Sequence, residues 1–193
     1  MRPMRAALPF LLLLAACAPP AIVPVVQTAS VTADAETVAV KSGDDAADDP
    51  AIWVHPQNAS QSLILGTNKK RGLYVYDLDG KQRQELLVDR VNNVDVRQGF
   101  TYLGQTADIA AASQRDRQSI ALFHINPNTG LLSVANEIQT SLDNVYGLCM
   151  YKGRGNKIYV FINDEDGRYE QWHISDTEHG WQGSLVREFS VAT

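Results

Sequence analysis

Basic side chains stand at the ends of two short apolar strands, where the chain reverses direction. Lys69 and Lys70 follow the strand-like run 63–67, and Arg115 follows the run 108–113. Arginine offers a planar fork that matches two phosphate oxygens, whereas lysine offers a mobile point charge. These residue types at these turns predict a local anion site.

Carboxylates and amides stand before or at the first strand of successive units. Asp48 and Asp49 precede one such strand, and Asn93 and Asp95 lie at the next. Clustered side-chain oxygens favour a hard cation, most simply Ca²⁺. A surface with both features suits a phosphorylated substrate bridged to a metal, because the metal neutralises charge and lowers the pKa of a water that attacks phosphorus. Each of these residues taken alone is also typical of a solvated turn.

The elements that must position these side chains are short strands rich in Val, Ile, Tyr and Phe, broken by Gly, Asn and Asp. Equivalent strands end at Thr67, Ser113 and Asn163, which are 46 and 50 residues apart. Four strands in each period of about 40–50 residues predict the blades of a β-propeller, an all-β fold. A β-sandwich with accidental internal similarity is the alternative. The predicted strands are 51–55, 63–67, 73–77 and 84–88; 94–97, 108–113, 120–125 and 132–137; and 145–151, 158–163, 169–174 and 185–191.

The repeat also predicts where the polar residues lie. In an up-and-down blade, the loop before the first strand and the turn between the second and third strands share one face. We therefore expect the basic turns and the carboxylate-bearing segments to gather on a single face.

Composition narrows the classes of partner. The chain has 193 residues and a formal net charge of −5, and this acidic balance argues against nucleic acid. Its two cysteines, Cys17 and Cys149, exclude a disulfide scaffold. Cys149 lies in an apolar run, which favours a buried structural role.

The first residues predict export. Residues 1–16 combine Arg2 and Arg5 with an apolar stretch too short to span a membrane. They end in Leu-Ala-Ala before Cys17, which resembles the lipobox of bacterial lipoproteins and implies acylation of Cys17. An ordinary signal peptide with an incidental Cys17 is the alternative. Residues 17–43 are predicted to be a flexible tether, and the folded part is expected at 44–193. We expect the protein to be lipid-anchored to the bacterial membrane, or otherwise secreted.

Longer motifs from 44 to 193 resemble the bacterial β-propeller phytases. The resemblance begins with Asp-Asp-Pro-Ala-Ile-Trp-Val-His-Pro at 48–56 and Thr-Asn-Lys-Lys at 67–70. It continues with Asn-Asn-Val-Asp-Val-Arg at 92–97, Asp-Ile-Ala-Ala-Ala-Ser at 108–113 and Val-Tyr-Gly at 145–147. The motifs follow one another in the family's order and spacing.

The resemblance implies a six-bladed propeller that uses Ca²⁺ to hydrolyse phytate, myo-inositol hexakisphosphate. It implies phosphate contacts from Lys69, Lys70, Arg115 and Tyr146, and a catalytic role for Lys69, Arg115 and Tyr146. Asp48 or Asp49 would help to hold calcium, and Asn93 and Asp95 would line the same face. This chain has Glu165 where the family commonly has a phosphate-binding lysine, so the charge beside the substrate is reversed.

Residues 44–193 hold only about three of the six blades that the resemblance implies. Three blades leave two open sheet edges, which predicts self-association as one outcome. Two other functions therefore stay open: a non-catalytic fragment that binds phosphate or calcium or pairs with another chain, and a different propeller hydrolase such as a calcium-dependent lactonase.

Overall fold

The computed structural model of the chain describes residues 28–191. Of these, residues 34–191 belong to one compact unit, and residues 28–33 are exposed and form no regular element. The predicted signal peptide at 1–16, Cys17 and the first part of the predicted tether lie outside the described residues. No helix among the described residues is long and apolar enough to cross a membrane.

Twelve antiparallel strands and two single-turn 3-10 helices make up the described unit. The strands form three four-stranded sheets, each in simple sequence order, which we call blade 1 (β1–β4), blade 2 (β5–β8) and blade 3 (β9–β12). Their bounds are β1 Ala47–Trp53, β2 Leu63–Asn68, β3 Gly72–Asp77, β4 Gln82–Leu87, β5 Val91–Tyr102, β6 Gln105–Gln114, β7 Ser119–Ile125, β8 Leu132–Gln139, β9 Val145–Lys152, β10 Ile158–Asp164, β11 Arg168–Thr177 and β12 Gly180–Ser190.

The all-β class and the three four-stranded blades are confirmed, and the three sheets form a partial, unclosed propeller. The β5–β6 and β11–β12 hairpins reach further towards their turns than predicted. β5 and β6 continue to a two-residue turn at Leu103 and Gly104, both with positive φ, 50° and 76°. Such turns match the twist of the flanking strands, so pairing runs up to the turn itself.

Alternating side chains build two separate cores between the blades. Ala110 and Ala112 of β6 face blade 1, whereas Ile109 and Ala111 of the same strand face blade 3. Because both faces of blade 2 are covered, its central strands are almost continuously apolar.

The face of blade 3 that points away from blade 2 is partly exposed. On β9, Leu148 and Met150 are buried against blade 2, whereas Cys149 and Tyr151, which alternate with them, are exposed. The prediction that Cys149 is buried is therefore wrong, because the alternation of the strand places it on the outer face.

The first strands of the blades, β1, β5 and β9, are neighbours in space. Each starts beside the end of the second strand of its own blade, since Ala47 pairs with Asn68, Val91 with Gln114 and Val145 with Asp164. The turns after β2, β6 and β10 therefore share one end of the blades with the starts of β1, β5 and β9. We call this the site end.

The segment before β1 is attached to blade 1. Val38 donates its backbone N–H to the carbonyl of Gly80 at 2.8 Å, and the Asn68 amide donates to the hydroxyl of Ser42 at 3.0 Å. Ordered contacts with the blade thus reach back to at least Val38, within the range assigned to the tether.

Candidate functional site

Three buried polar side chains shape the turns of the site end. Asn68, Gln114 and Asp164 close β2, β6 and β10, and each is at most 2% exposed. Each accepts a backbone N–H from its own turn, at 3.0 Å from Lys70, 2.9 Å from Arg117 and 3.1 Å from Asp166. These three residues were not among the predicted site residues. A polar side chain at the end of each apolar second strand, 46 and 50 residues apart, was the available signal.

Hydroxyl groups one position earlier fix the neighbouring first strands. Thr67 accepts the N–H of Asp49 at 2.9 Å, and Ser113 accepts the N–H of Asn93 at 2.9 Å. The Ser113 hydroxyl also donates to the carbonyl of Tyr146 in blade 3 at 2.8 Å. The backbones that carry three of the predicted site residues are therefore held by side-chain hydrogen bonds.

Two of the predicted metal ligands join adjacent blades. The Asp49 carboxylate accepts the N–H of Val94 at 2.9 Å. One oxygen of Asp95 accepts the N–H of Met150 at 2.7 Å, and the other accepts from Arg97, whose second nitrogen donates to the carbonyl of Met150. One oxygen of Asp95 therefore links blade 2 to blade 3 directly, and the other does so only through Arg97.

Carboxylates pair with both lysines of the first turn. Lys69 lies 2.6 Å from Asp45 and 3.6 Å from Asp48. Lys70 donates to the carbonyl of Gly43 at 2.6 Å and lies 3.4 Å from Asp44. The hydrogen bond with Asp45 raises the pKa of Lys69, and the same bond lowers the pKa of Asp45.

Arg115 and Tyr146 come together across the junction of blades 2 and 3. The guanidinium carbon of Arg115 lies 5.5 Å from the centre of the Tyr146 ring, in cation–π geometry. Nη2 of Arg115 is 2.8 Å from Oε1 of Glu165. No hydrogen bond or ion pair of the described residues joins this pair directly to Lys69 or Lys70, which lie on the blade 1 turn at the same end.

The donor set at the site end fits a calcium ion in part. Asp48, Asp49 and Asn93 bring side-chain oxygens to one end of the blades, although no three His, Cys, Asp or Glu residues within 28–191 are grouped as a ready-made metal site. The buried side-chain oxygen of Asn92, beside Asn93, has no hydrogen-bond partner among the described residues. A buried oxygen without a hydrogen-bond partner suits a cation, and Asn92 was not among the predicted ligands.

Comparisons with known proteins decide the family. A family model described as Phytase matches residues 3–193. The chain belongs to the phytase family. It is 42% identical over 169 residues to a 3-phytase from Bacillus subtilis (strain 168), an alignment that covers 83% of this chain and 44% of that protein.

The chain spans less than half the length of the Bacillus protein. Seven predicted site residues lie at or next to the site end: Lys69, Lys70, Arg115, Tyr146, Asp48, Asp49 and Asn93. Asp95 lies further along β5, where it bonds Met150. The resemblance inferred from short motifs is thus confirmed at the level of the family.

Proposed function

We propose that this chain is part of a calcium-dependent phosphomonoesterase that hydrolyses phytate. The supporting observation is the gathering of Lys69, Arg115 and Tyr146 at one end of the blades in a chain of the phytase family. Phosphate esters carry several charged oxygens, which suit the fork of an arginine and the point charge of a lysine.

Each side chain has a distinct task in this proposal. Arg115 binds a phosphate through two parallel N–H groups, and the Tyr146 ring holds the guanidinium plane in position. Lys69 and Lys70 bind neighbouring phosphates of the same inositol ring. The hydroxyl of Ser113 holds the backbone of Tyr146 in place.

The charge balance of the site end supports a requirement for a divalent cation. The basic side chains Lys69, Lys70 and Arg115 face a larger group of carboxylates: Asp44, Asp45, Asp48, Asp49 and Glu165. Free phytate is a polyanion and would be repelled by this excess of negative charge. A calcium–phytate complex removes that repulsion, so the proposed substrate is phytate bound to calcium.

Asp48, Asp49 and Asn93 are the proposed calcium-binding residues. Bound calcium would neutralise phosphate charge and lower the pKa of a coordinated water. That Asp95 is a ligand stays a prediction, and the proposal does not depend on it because both of its oxygens already accept hydrogen bonds.

Phosphate release tests the proposal. Purified protein is incubated with phytate in the presence of calcium or of a chelator, and free phosphate is measured over time. The proposal expects release with calcium and none with chelator. Binding of calcium–phytate without release would instead support a binding role for these blades, and release of product from a sugar lactone but not from phytate would favour a lactonase.

We also propose that Cys17 carries a lipid anchor and that the protein is exported. Acylation adds mass at Cys17 and directs the protein to the membrane fraction. Mass spectrometry of the mature N-terminus and fractionation of Cys17→Ser test this. An unmodified Cys17 in a soluble wild-type protein would contradict it.

A further inference from the structure

The Glu165 carboxylate contacts a nitrogen of Arg115 that the guanidinium also uses in bidentate phosphate binding. Its Oε1 lies 2.8 Å from Nη2 of Arg115. A guanidinium binds an oxyanion bidentately either through Nη1 and Nη2 or through Nε and Nη2, and Nη2 contributes one of its two N–H groups to each fork. The contact with Glu165 uses one N–H of Nη2, so the carboxylate competes with an oxyanion for one of the two forks.

The backbone around Glu165 holds its side chain opposite Arg115. The buried Asp164 carboxylate accepts the backbone N–H groups of Asp166 at 3.1 Å and Arg168 at 2.9 Å. These two bonds fix the turn that begins at Glu165. The Glu165 side chain itself is 49% exposed, so it can turn into solvent without leaving a buried charge.

We propose that Glu165 is an intramolecular competitor for Arg115 and thereby determines how strongly this chain binds phosphate. The inference rests on the proposed role of Arg115 as a phosphate-binding residue. An incoming phosphate must displace the carboxylate to use the fork that Glu165 contacts, and at the other fork it is repelled by the adjacent negative charge. Glu165 therefore weakens the binding of free phosphate. A phosphate that carries a divalent cation loses less affinity, because the displaced carboxylate then faces a positive charge.

Asp166 provides a matched control in the same turn. Its side chain is exposed and carries the same charge one residue away, but it makes no ion pair with Arg115. Glu165→Gln and Asp166→Asn remove one negative charge each from the same region. Only Glu165→Gln weakens the competing contact.

The proposal is tested by measuring the binding of inorganic phosphate in calcium-free buffer with ³¹P NMR or calorimetry. Glu165→Gln is expected to bind phosphate about two- to fivefold more tightly than wild type, the range that exposed ion pairs contribute. Asp166→Asn is expected to change the affinity less. The gain should vanish in Arg115→Ala/Glu165→Gln compared with Arg115→Ala alone.

Three results would overturn the inference. The first is an equal gain in phosphate affinity from Glu165→Gln and Asp166→Asn. The second is a gain that persists without Arg115, and the third is the absence of phosphate binding by Glu165→Gln. None of these readouts uses hydrolysis. Failure of the proposed function would show as no phosphate release from calcium–phytate while this affinity pattern remained.

Discussion

The carboxylate of Asp49 accepts the backbone N–H of Val94 at 2.9 Å, which joins blade 1 to blade 2 at the site end. Asp49 is also a proposed calcium ligand. One side chain therefore has a structural and a binding role, and the two can be separated by substitution. Asparagine keeps an oxygen that accepts the Val94 N–H but removes the negative charge.

Asp49→Asn is therefore expected to weaken calcium binding and leave the fold almost unchanged. Its free energy of unfolding in chelator should stay within about 0.5 kcal/mol of wild type. Asp49→Ala should lose calcium affinity and also about 1 kcal/mol of stability, because the hydrogen bond is lost. Calorimetric calcium titration and urea unfolding measure the two effects. Equal calcium affinity in wild type and Asp49→Asn would remove Asp49 from the set of ligands.

Arg115→Ala is expected to lower phosphate affinity by about 1.5–3 kcal/mol, the contribution of hydrogen bonds to charged groups. Arg117 supplies the control, since it lies in the same turn but pairs with Glu137 at 2.7 Å and with Asp89. Arg117→Ala should leave the affinity close to that of wild type. Titration with myo-inositol hexakisphosphate in calcium measures both, and similar losses in the two variants would mean that only the general charge of the turn matters.

Asp108 is expected to be a main contributor to the junction of blades 1 and 2. It is 5% exposed and accepts the indole N–H of Trp53 at 2.7 Å and the backbone N–H of Gly99 at 2.7 Å. Asp108→Ala leaves a fully buried indole donor without its acceptor, which costs about 1–3 kcal/mol. Urea unfolding followed by tryptophan fluorescence measures this cost. The exposed Asp79→Ala is the control, and an equal effect of both would contradict the assignment.

Asp116 predicts a specific pH dependence of stability. Burial alone would raise the pKa of Asp116, but the backbone N–H and guanidinium of Arg90 outweigh it and hold the pKa below its ordinary value of 3.8. A lowered carboxyl pKa contributes stability above the unfolded value, and that contribution is lost as the pH falls through the folded value.

Asp116→Asn should therefore be less stable than wild type at pH 7, by less than about 1 kcal/mol because the pair is exposed. The difference should shrink below pH 4 as wild-type Asp116 becomes protonated. Urea midpoints of both proteins from pH 7 to pH 3 measure it. A difference that is constant over this range would show that the Arg90 contact is not electrostatic.

Much of the fold follows from local patterns. Alternation and the repeated strand ends at Thr67, Ser113 and Asn163 are sufficient to predict twelve strands in three blades. Up-and-down connectivity then dictates that the turns bearing Lys69 and Arg115 share one end. These features depend on neighbours in sequence, so the sequence reveals them.

Such local patterns could not predict the contacts between blades. The use of both oxygens of Asp95 to hold Met150 and Arg97 depends on how β5 packs beside β9. The pairing of Arg115 with Glu165 joins turns that are 50 residues apart in sequence. Asp108 likewise contacts Trp53 across a junction, 55 residues away. Each depends on the packing of one sheet against another, which strand periodicity does not specify.

Phosphate release from calcium–phytate tests most directly whether this end of the blades hydrolyses phytate with calcium. Wild type, Arg115→Ala and Arg117→Ala are compared at equal concentration, each with calcium and with chelator. Calcium-dependent release is expected from wild type and Arg117→Ala, and strongly reduced release is expected from Arg115→Ala. Absence of release by wild type in calcium, or equal release by all three proteins in chelator, would contradict it.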